Sequence, residues 1–411
     1  MPVSAAEPAH VVVVGAGPAG LAAAERLMEA GGIAVTIVER TPSPARKFLL
    51  AGRGGLNLTH SEPLERFLGH YGGSVAPAVR EAIAHFTPER LRAWVDGLGE
   101  PTFVGSSGRV FPQSFKASPL ARAWLARLQA SGARLLTRTR WIGFAADGAL
   151  LVETGGEARA LPADAAVLAL GGASWSRLGS DGAWTAILAG DGIPVAPLAP
   201  MNAGVEIAWS EVVRERFAGT PLKRVAIGVA RPADPAQASE AMITRHGLEG
   251  TGVYARSAEI GVALDAGGPV ALHLDLRPDR DATALAARIA AAPKGRTLTE
   301  RLRRAGLAPA AIGLMREAGA LPADPQALAA RAKDCVLAVE AMRPPERAIS
   351  HRGGVRAEAL DDRFMLRARP GIFLAGGVLD WPAPTGGYLL QGCLATGRAA
   401  AEGVVQRLAR A

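Results

Sequence analysis

The chain has 411 residues, of which 49% are hydrophobic and 20% are charged, a balance typical of a globular protein with two or three domains. No apolar run reaches the ~20 residues of a membrane span, and the N-terminus lacks the basic and apolar regions of a signal peptide, so we expect a cytoplasmic protein. The two cysteines, Cys335 and Cys393, exclude a disulfide framework, a CxxC dithiol and a zinc cluster, and we expect no metal site.

The formal net charge of +8 leaves two interpretations open. It is typical of a protein with a polyanionic partner such as RNA. Only five of the 46 basic residues are lysine, however, and an arginine-rich surface is also expected from a codon bias. If RNA is bound, the densest arginine group should contact its phosphates: Arg296, Arg301, Arg303 and Arg304.

The chain begins with the pattern of a dinucleotide-binding unit. His10 to Val14 reads HVVVV, which predicts a strand buried on both faces. The glycine-rich turn Gly15 to Gly20 follows, and Leu21 to Ala30 predicts a helix. Ala34 to Val38 predicts a second strand, which ends at the acidic Glu39. An ordinary strand–turn–helix unit is the alternative, but the acid also stands where the fingerprint needs it.

Each residue type in this fingerprint has a physical reason. Gly15 permits the tight turn, Gly17 lets the backbone approach a pyrophosphate, and Gly20 lets the helix pack on the strand. The helix N-terminus faces the phosphates. Glu39 can bind the ribose hydroxyl pair, and an acid there disfavours a 2′-phosphate, so the sequence predicts FAD or NAD rather than NADP.

A second glycine-rich stretch, FLLAGRGGLNLTH from Phe48 to His60, follows directly. Helical patterns come after it at Pro77 to Phe86 and at Pro88 to Asp96, where Thr87 is a candidate N-cap. The next predicted elements are an extended segment, a helix, three short strands and a buried strand that ends at Gly171 and Gly172: Phe103 to Phe111, Ser118 to Ala130, Arg134 to Arg138, Trp141 to Ala145, Ala149 to Glu153 and Ala165 to Leu170.

From about Gly192 the pattern changes to an insert. Short β-type segments come first, at Val195 to Ile207, Arg224 to Val229 and Val270 to Asp275. Asp281 to Val339 then predicts helices, with a capping box at Thr297 to Glu300. A buried strand from Gly371 to Ala375 and a long helix from about Gly387 to Leu408 end the chain. We therefore expect a first FAD-domain part at 1–191, an insert at 192–342 (β-rich at 192–280, helical at 281–342) and a second FAD-domain part at 343–411.

The chain resembles the BaiN/YhiN-like flavoproteins of the glutathione-reductase-type FAD superfamily. The stretches that carry the resemblance are GAGPAGLAAAERL, RKFLLAGRGGLNLTH, GRVFPQSFKAS, LALGGASWSRLGSDG, ITRHGLEGTGVY and AGGVLDWPAPTGGYLLQGC. The last is typical of a shorter, largely uncharacterised branch. The resemblance implies an α/β fold in which a Rossmann-like FAD-binding domain is interrupted by a β-barrel-like plus helical insert.

The resemblance also implies how FAD is bound, without a covalent bond. The second glycine loop runs along the same FAD, which selects FAD over NAD. Asp380 binds a ribityl hydroxyl (a loop or helix cap is the alternative), and the last helix faces the flavin N1–C2=O edge. The expected cofactor-binding residues are Gly15, Gly17, Pro18, Ala19, Gly20, Glu39, Arg40, Lys47, Gly52, Gly54, Gly55, Asn57, Thr59, Gly171, Gly376, Asp380, Gly386, Gly387 and Tyr388.

Two positions depart from the resembling proteins. Many of them have cysteine where this chain has Leu56, so thiol chemistry is excluded there. They usually have glutamate where this chain has Gly377, so a carboxylate near the flavin is missing.

The sequence leaves open which donor supplies the electrons and which residue supplies the proton. No second GxGxxG occurs, so NADH or NADPH would bind transiently over the flavin, or another donor reduces it. Reduction of a C=C bond also needs a proton donor. The candidates are Arg245, His246 and Tyr254 in the insert, and Lys116, His351 and Tyr388 elsewhere. For His246 the alternative is simple packing, and for His351 a functional and a structural role stay equally open.

The favoured interpretation is an FAD-dependent oxidoreductase that reduces an activated C=C bond of a small unsaturated substrate by hydride transfer from flavin N5. An rRNA dihydrouridine synthase is the first alternative. A non-catalytic, flavin-binding redox sensor is the second.

Overall fold

The structure is a computed structural model that describes residues 8–293 and 295–410. The described chain forms two compact units, residues 8–199 with 351–410, and residues 200–350. The first unit is therefore interrupted by the second. The expected insert, 192–342, begins and ends about eight residues earlier than the second unit.

The first unit is built on a parallel five-stranded sheet. Its strands, in spatial order, are Ile372–Leu374, Ala165–Leu168, Ala9–Val14, Ile33–Val38 and Arg134–Leu136. Val11, Val12 and Val13 are fully buried, because helices cover the sheet. This explains why the central strands read as unbroken apolar runs. The predicted Rossmann-like core is confirmed.

Two helices and two small antiparallel sheets complete the frame of this unit. Helices Pro18–Ala30 and Tyr388–Leu408 pack so closely that a β-carbon at Gly397 would lie 2.2 Å from the carbonyl oxygen of Ala19. The small sheets consist of Thr59–His60, Arg109–Pro112 and Thr102–Val104, and of Thr139–Phe144, Leu150–Thr154 and Glu157–Leu161. The remaining helices are Arg46–Ala51, Leu64–Leu68, Ala76–His85, Pro88–Asp96, Ala117–Ala130 and Trp184–Gly190. The predicted cap is confirmed, since Thr87 Oγ1 accepts from the Arg90 amide at 3.3 Å.

The second unit is built on an antiparallel sheet that closes on itself. Its strands, in spatial order, are Cys335–Val339, Val270–Asp275, Pro221–Val229, Ser239–Ile243, Gly247–Glu249, Val205–Glu206 and Ala341–Met342. The first and last are separated in sequence only by Glu340, whose amide donates to the carbonyl oxygen of Glu206 at 3.0 Å. The two edges therefore belong to one continuous segment, which gives the expected barrel-like shape.

Among the described residues of this unit, seven helices accompany the barrel: Glu211–Arg216, Thr251–Tyr254, Ser257–Asp265, Ala282–Ala290, Leu298–Arg304, Pro309–Glu317 and Pro325–Lys333. The capping box is confirmed, because Thr297 and Glu300 bond each other reciprocally. The helical prediction up to Val339 is wrong at its end. Cys335–Val339 is a strand with alternating buried and exposed residues that pairs with Val270–Asp275. Pairing across the barrel, rather than local helix propensity, decides its conformation.

The chain passes between the units in two strands, Val195–Met201 and Ser350–Val355, which pair with each other. The predicted β-type segment from Val195 to Ile207 is therefore two strands. The break falls at Asn202, whose φ of 52° is left-handed.

Candidate dinucleotide-binding site

The first glycine turn lies between the central strand and the first helix of the first unit. Gly15 has φ 106°, and a β-carbon there would lie 2.4 Å from the carbonyl oxygen of Ala169. A β-carbon at Gly20 would lie 1.8 Å from the carbonyl oxygen of Gly15. Gly17 meets nothing within 4 Å. Packing therefore requires Gly15 and Gly20, whereas Gly17 leaves the backbone open before a helix that begins at Pro18.

Glu39 follows the second strand and bonds to this turn. Its Oε2 accepts from the Ala16 amide at 3.1 Å, and its Oε1 accepts from the amide and hydroxyl of Thr41 at 2.8 and 2.7 Å. The carboxylate is thus held beside the turn in a defined orientation. It opens on a cleft, the Glu39 pocket, lined by Val14, Gly15, Val38, Glu39, Arg40, Thr139, Arg140, Trp141, Leu170, Gly179, Asp181, Ala183, Trp184 and Ile187.

The Glu39 pocket combines apolar walls with polar groups. Arg40 pairs with Asp181 at 2.6 Å, so its guanidinium has a partner within the protein. The indole nitrogen of Trp141 is buried and has no hydrogen-bond partner among the described residues. An orphaned donor beside an acidic side chain is suited to a polar, ring-containing ligand such as the adenosine end of a dinucleotide.

The second glycine loop is a 3₁₀ turn, Gly52–Gly54, after the helix Arg46–Ala51. A β-carbon at Gly52 would lie 2.5 Å from that of Ala117, and one at Gly55 would lie 2.8 Å from the ring of Phe115. Gly54 meets nothing within 4 Å. The structure thus gives Gly52 and Gly55 a packing reason that the sequence did not indicate, and leaves Gly54 open.

Beyond this loop, the chain runs against the start of the last helix. Gly387 has φ 97°, and a β-carbon there would lie 2.5 Å from Cα of Thr59. Gly386 is also left-handed, at φ 130°. Asn57 Oδ1 and Thr59 Oγ1 are buried and have no partner among the described residues. Buried polar atoms are rarely left unsatisfied, so these two fit hydrogen bonds from a bound polar group.

Gly171, Gly376 and Asp380 lie in the loops after two neighbouring parallel strands. Gly171 (φ 68°) and Gly376 (φ 72°) would place β-carbons 2.7 Å from Ser180 Oγ and from the Ala19 β-carbon. Asp380 Oδ2 accepts from the amide and hydroxyl of Ser74 at 3.1 and 2.8 Å. Its carboxylate therefore holds a neighbouring loop in this structure, as the loop-cap alternative expects.

His351 is wedged between two glycines. A β-carbon at Gly172 would lie 1.8 Å from Cε1 of His351, and one at Gly377 would lie 3.1 Å from the same atom. Nε2 lies 2.8 Å from the carbonyl oxygen of Gly377. Burial, and then the charge of Lys47, lower the pKa of His351 to about 4, so the imidazole is neutral near pH 7.

Lys47 lies in the same part of the unit. Its Nζ donates to Ser174 Oγ at 2.8 Å, and burial lowers its pKa to about 8. Cys393, on the last helix, is within its electrostatic range, and burial raises the pKa of that thiol to about 11. The structure therefore brings Lys47 and His351 together, and adds Ser174 and Cys393, which the sequence did not single out.

Tyr388 has a different neighbourhood. Its hydroxyl donates to Glu62 Oε1 at 2.5 Å, and its ring packs on Phe67 and His70 at 4.8 and 4.5 Å between centroids. Burial and the bond to Glu62 raise the pKa of Tyr388. His70 Nε2 also lies 3.1 Å from Glu62. The phenol proton is thus engaged by a carboxylate that the sequence analysis did not single out.

Comparison with known proteins shows the family of the chain. A family model described as the HI0933-like protein Rossmann domain matches residues 9–403. The chain belongs to this family. The predicted flavoprotein oxidoreductase identity is thereby confirmed at the level of the family.

Individual proteins similar to this chain share only a small part of its sequence. A 3-dehydro-bile acid delta(4,6)-reductase of Clostridium scindens is 26% identical over 416 residues, which cover 96% of this chain and 99% of the relative. The crystal structure of 3-ketosteroid delta1-dehydrogenase from Sterolibacterium denitrificans matches with a TM-score of 0.53 and 13% identity, over 97% of this chain and 99% of that one. Mycobacterium smegmatis Sdh1 matches with a TM-score of 0.50 and 16% identity, over 98% and 69%. The two structural likenesses concern the fold.

The remaining candidate proton donors lie outside the two glycine turns. Arg245 and His246 are exposed on the turn between strands Ser239–Ile243 and Gly247–Glu249 of the second unit. Tyr254 ends a short helix there, and burial raises its pKa. Lys116 is exposed in the first unit. Within residues 8–293 and 295–410, no three metal-ligand side chains form a group that could hold a metal. Nor is any helix in that part of the chain long and apolar enough to cross a membrane.

Proposed function

We propose that this protein binds FAD without a covalent bond and reduces an activated C=C bond of a small unsaturated ring compound. The observation that supports FAD binding is a pair of buried oxygens, Asn57 Oδ1 and Thr59 Oγ1, which have no hydrogen-bond partner among the described residues. Thr59 lies next to Gly387, at the start of the last helix. Together with Glu39 at the first turn, these oxygens provide polar groups along the length of a dinucleotide. The relative from Clostridium scindens, named as a delta(4,6)-reductase, supports the reaction class.

The bound flavin would supply a hydride to one carbon of the double bond. The protein's own residues then hold the cofactor and provide the proton. Gly17 and the helix that begins at Pro18 would present amides to the phosphates, and Glu39 would hold the ribose. The last helix begins after Gly387, and its positive N-terminal end would stabilise negative charge on the flavin.

The proton donor belongs to the same proposal. His351 is neutral and Tyr388 donates to Glu62, so neither has a proton free for the substrate near pH 7. His246, next to Arg245 on an exposed turn of the second unit, stays the candidate donor. The transient reductant in this proposal is NADH or NADPH.

The rRNA alternative finds less support in the arginine group of the insert. Arg296 pairs with Glu300 at 3.2 Å, and Arg301 Nε donates to the carbonyl oxygen of Ile289 at 3.4 Å. Arg296, Arg303 and Arg304 are exposed, and Arg301 is half-buried. Two of the four side chains thus have partners within the protein, which favours the small-molecule reductase.

The test begins with the cofactor. Acid precipitation of the purified protein should release all the flavin as FAD; FMN, or a pellet that stays yellow, contradicts the proposal. Anaerobic mixing with NADH or NADPH should then bleach the flavin. A cyclic conjugated enone should restore the colour in step with loss of its C=C bond, and a saturated ketone should not. Flavin that is reduced but never reoxidised by any enone favours the redox-sensor alternative.

A further inference from the structure

Lys47 is a half-buried cation that forms no ion pair with the described residues. Its one recorded hydrogen-bond partner is the neutral hydroxyl of Ser174, at 2.8 Å. No carboxylate lies within 4.0 Å of Nζ in the part of the chain that the structure describes, and no carboxylate is among the causes that shift its pKa. Partial removal of an ammonium from water without a counter-charge costs free energy, which is why the pKa of Lys47 falls to about 8.

The position of Lys47 is fixed against the first glycine turn. The amide of Ala45, two residues earlier, donates to the carbonyl oxygen of Ala16 at 2.9 Å. On the other side, the Cys393 sulfur lies 3.7 Å from where a β-carbon of Gly376 would stand, and Ala19 borders the same point at 2.7 Å. Lys47, whose field reaches Cys393, therefore lies beside the turn that begins the first helix.

The groups around Lys47 do not titrate near neutral pH. His351 stays neutral above a pKa of about 4, and the Cys393 thiol stays neutral below about 11. The pKa of Tyr71, which faces Cys393, is also raised by burial. The carboxylate of Glu39 accepts from Ala16, and that of Asp380 accepts from Ser74. Among Lys47, His351, Cys393 and Tyr71, Lys47 alone changes its charge between about pH 5 and about pH 10.

We propose that Lys47 binds the diphosphate of the dinucleotide, and that dinucleotide binding is therefore linked to protonation of Lys47. This inference rests on the cofactor part of the proposed function, not on its reaction. The anion raises the pKa of the ammonium, so the complex holds a proton that the free protein releases above pH 8. Affinity should be constant below that pH and should fall above it.

The experiment measures binding of FAD and of ADP to the apoprotein from about pH 6.5 to about pH 9.5. For the unaltered protein, the Kd should rise above pH 8 by up to about tenfold per pH unit. Lys47→Met should weaken binding at pH 7 by roughly tenfold or more and should remove the pH dependence. Lys47→Arg should keep the affinity but also lose the pH dependence, because arginine stays charged. Lys223→Met, at an exposed lysine of the second unit, is the matched control.

Three results would overturn the inference. The first is a flat pH profile of the unaltered protein, which needs no variant and so does not depend on whether Lys47→Met folds. The second is a Lys47→Arg protein that keeps the pH dependence. The third is a Lys47→Met protein whose affinity for FAD falls while its affinity for ADP is unchanged, which would place Lys47 at the flavin rather than at the diphosphate. Failure to reduce an enone leaves all three measurements intact, so the two proposals fail separately.

Discussion

His351 donates a hydrogen bond from Nε2 to the carbonyl oxygen of Gly377, at 2.8 Å. A carbonyl oxygen only accepts, so Nε2 carries the proton and Nδ1 keeps its lone pair. The ring also fills the space in which a side chain at residue 377 would stand. His351 is therefore a neutral hydrogen-bond acceptor at Nδ1, not the proton donor that was one of its candidate roles.

The first prediction concerns the titration of His351. Burial lowers its pKa to about 4, so the native state binds fewer protons than the unfolded chain between pH 4 and the ordinary value near 6.5. Stability should fall as the pH drops through this window, by at most about 1.4 kcal/mol per unit. Nitrogen chemical shifts should show an Nε2–H tautomer that is unprotonated at pH 6, with His85 as an exposed reference. A pKa of 6 or above for His351 contradicts this account.

The second prediction concerns Gly172. A β-carbon there would overlap the His351 ring, so Gly172→Ala should destabilise the protein by about 2 kcal/mol or more. His351→Ala removes the obstacle, and the double variant should be less destabilised than the sum of the two single variants. Gly190→Ala, at a helical glycine with open space, is the control and should be neutral or slightly stabilising. Additive effects in the double variant would mean that the ring moves away freely.

Local sequence was sufficient for the elements that local chemistry determines. The strand, Gly15 to Gly20 and the first helix form as expected, and Thr87 and Thr297 cap helices as their spacing predicts. Cys335–Val339 was misassigned because its strand partner, Val270–Asp275, lies about 60 residues away in the sequence. Because the partner strand is so distant in the sequence, the only local sign of this strand is a short alternation of buried and exposed residues directly after a helix.

The interior of the site was largely beyond sequence reasoning for the same reason. Lys47 and Cys393 are some 350 residues apart, and Glu62 and Tyr388 more than 300. No spacing rule links such pairs. A signal did exist for Glu62, which stands between His60 and His70 in a polar stretch after the second glycine loop. This signal became informative only when the fold brought the Tyr388 hydroxyl into a hydrogen bond with Glu62.

The third prediction separates a positioning role of Tyr388 from a catalytic one. Tyr388→Phe removes the bond to Glu62, while the Arg66 guanidinium still neutralises that carboxylate at 3.2 Å. Stability should fall by about 1–3 kcal/mol, and the rate of flavin reoxidation by an enone should stay within a few-fold. Glu62→Gln should show a similar pattern, and the exposed Glu65→Gln should show no effect. A loss of reoxidation by a hundredfold in a well-folded Tyr388→Phe protein would assign Tyr388 to the chemistry.

The last prediction concerns Glu39, which has two tasks in this structure. Its carboxylate holds the glycine turn through the Ala16 amide and holds Thr41 through two further bonds. In the proposed complex it also binds the ribose hydroxyls, and hydrogen bonds to a charged group are worth about 1.5–3 kcal/mol each. Glu39→Ala should therefore raise the Kd for FAD by about tenfold or more.

The design of the Glu39 experiment separates these two tasks. Glu39→Gln keeps the size of the side chain and one oxygen acceptor but loses the charge, so its FAD Kd should lie between those of the unaltered protein and Glu39→Ala. Glu29→Ala, at the far end of the first helix and paired with Arg398, is the control. Thermal unfolding of each apoprotein measures the loss of the turn alone. If Glu39→Ala lowers the unfolding temperature but leaves the FAD Kd unchanged, the carboxylate serves the turn and the ribose is bound elsewhere.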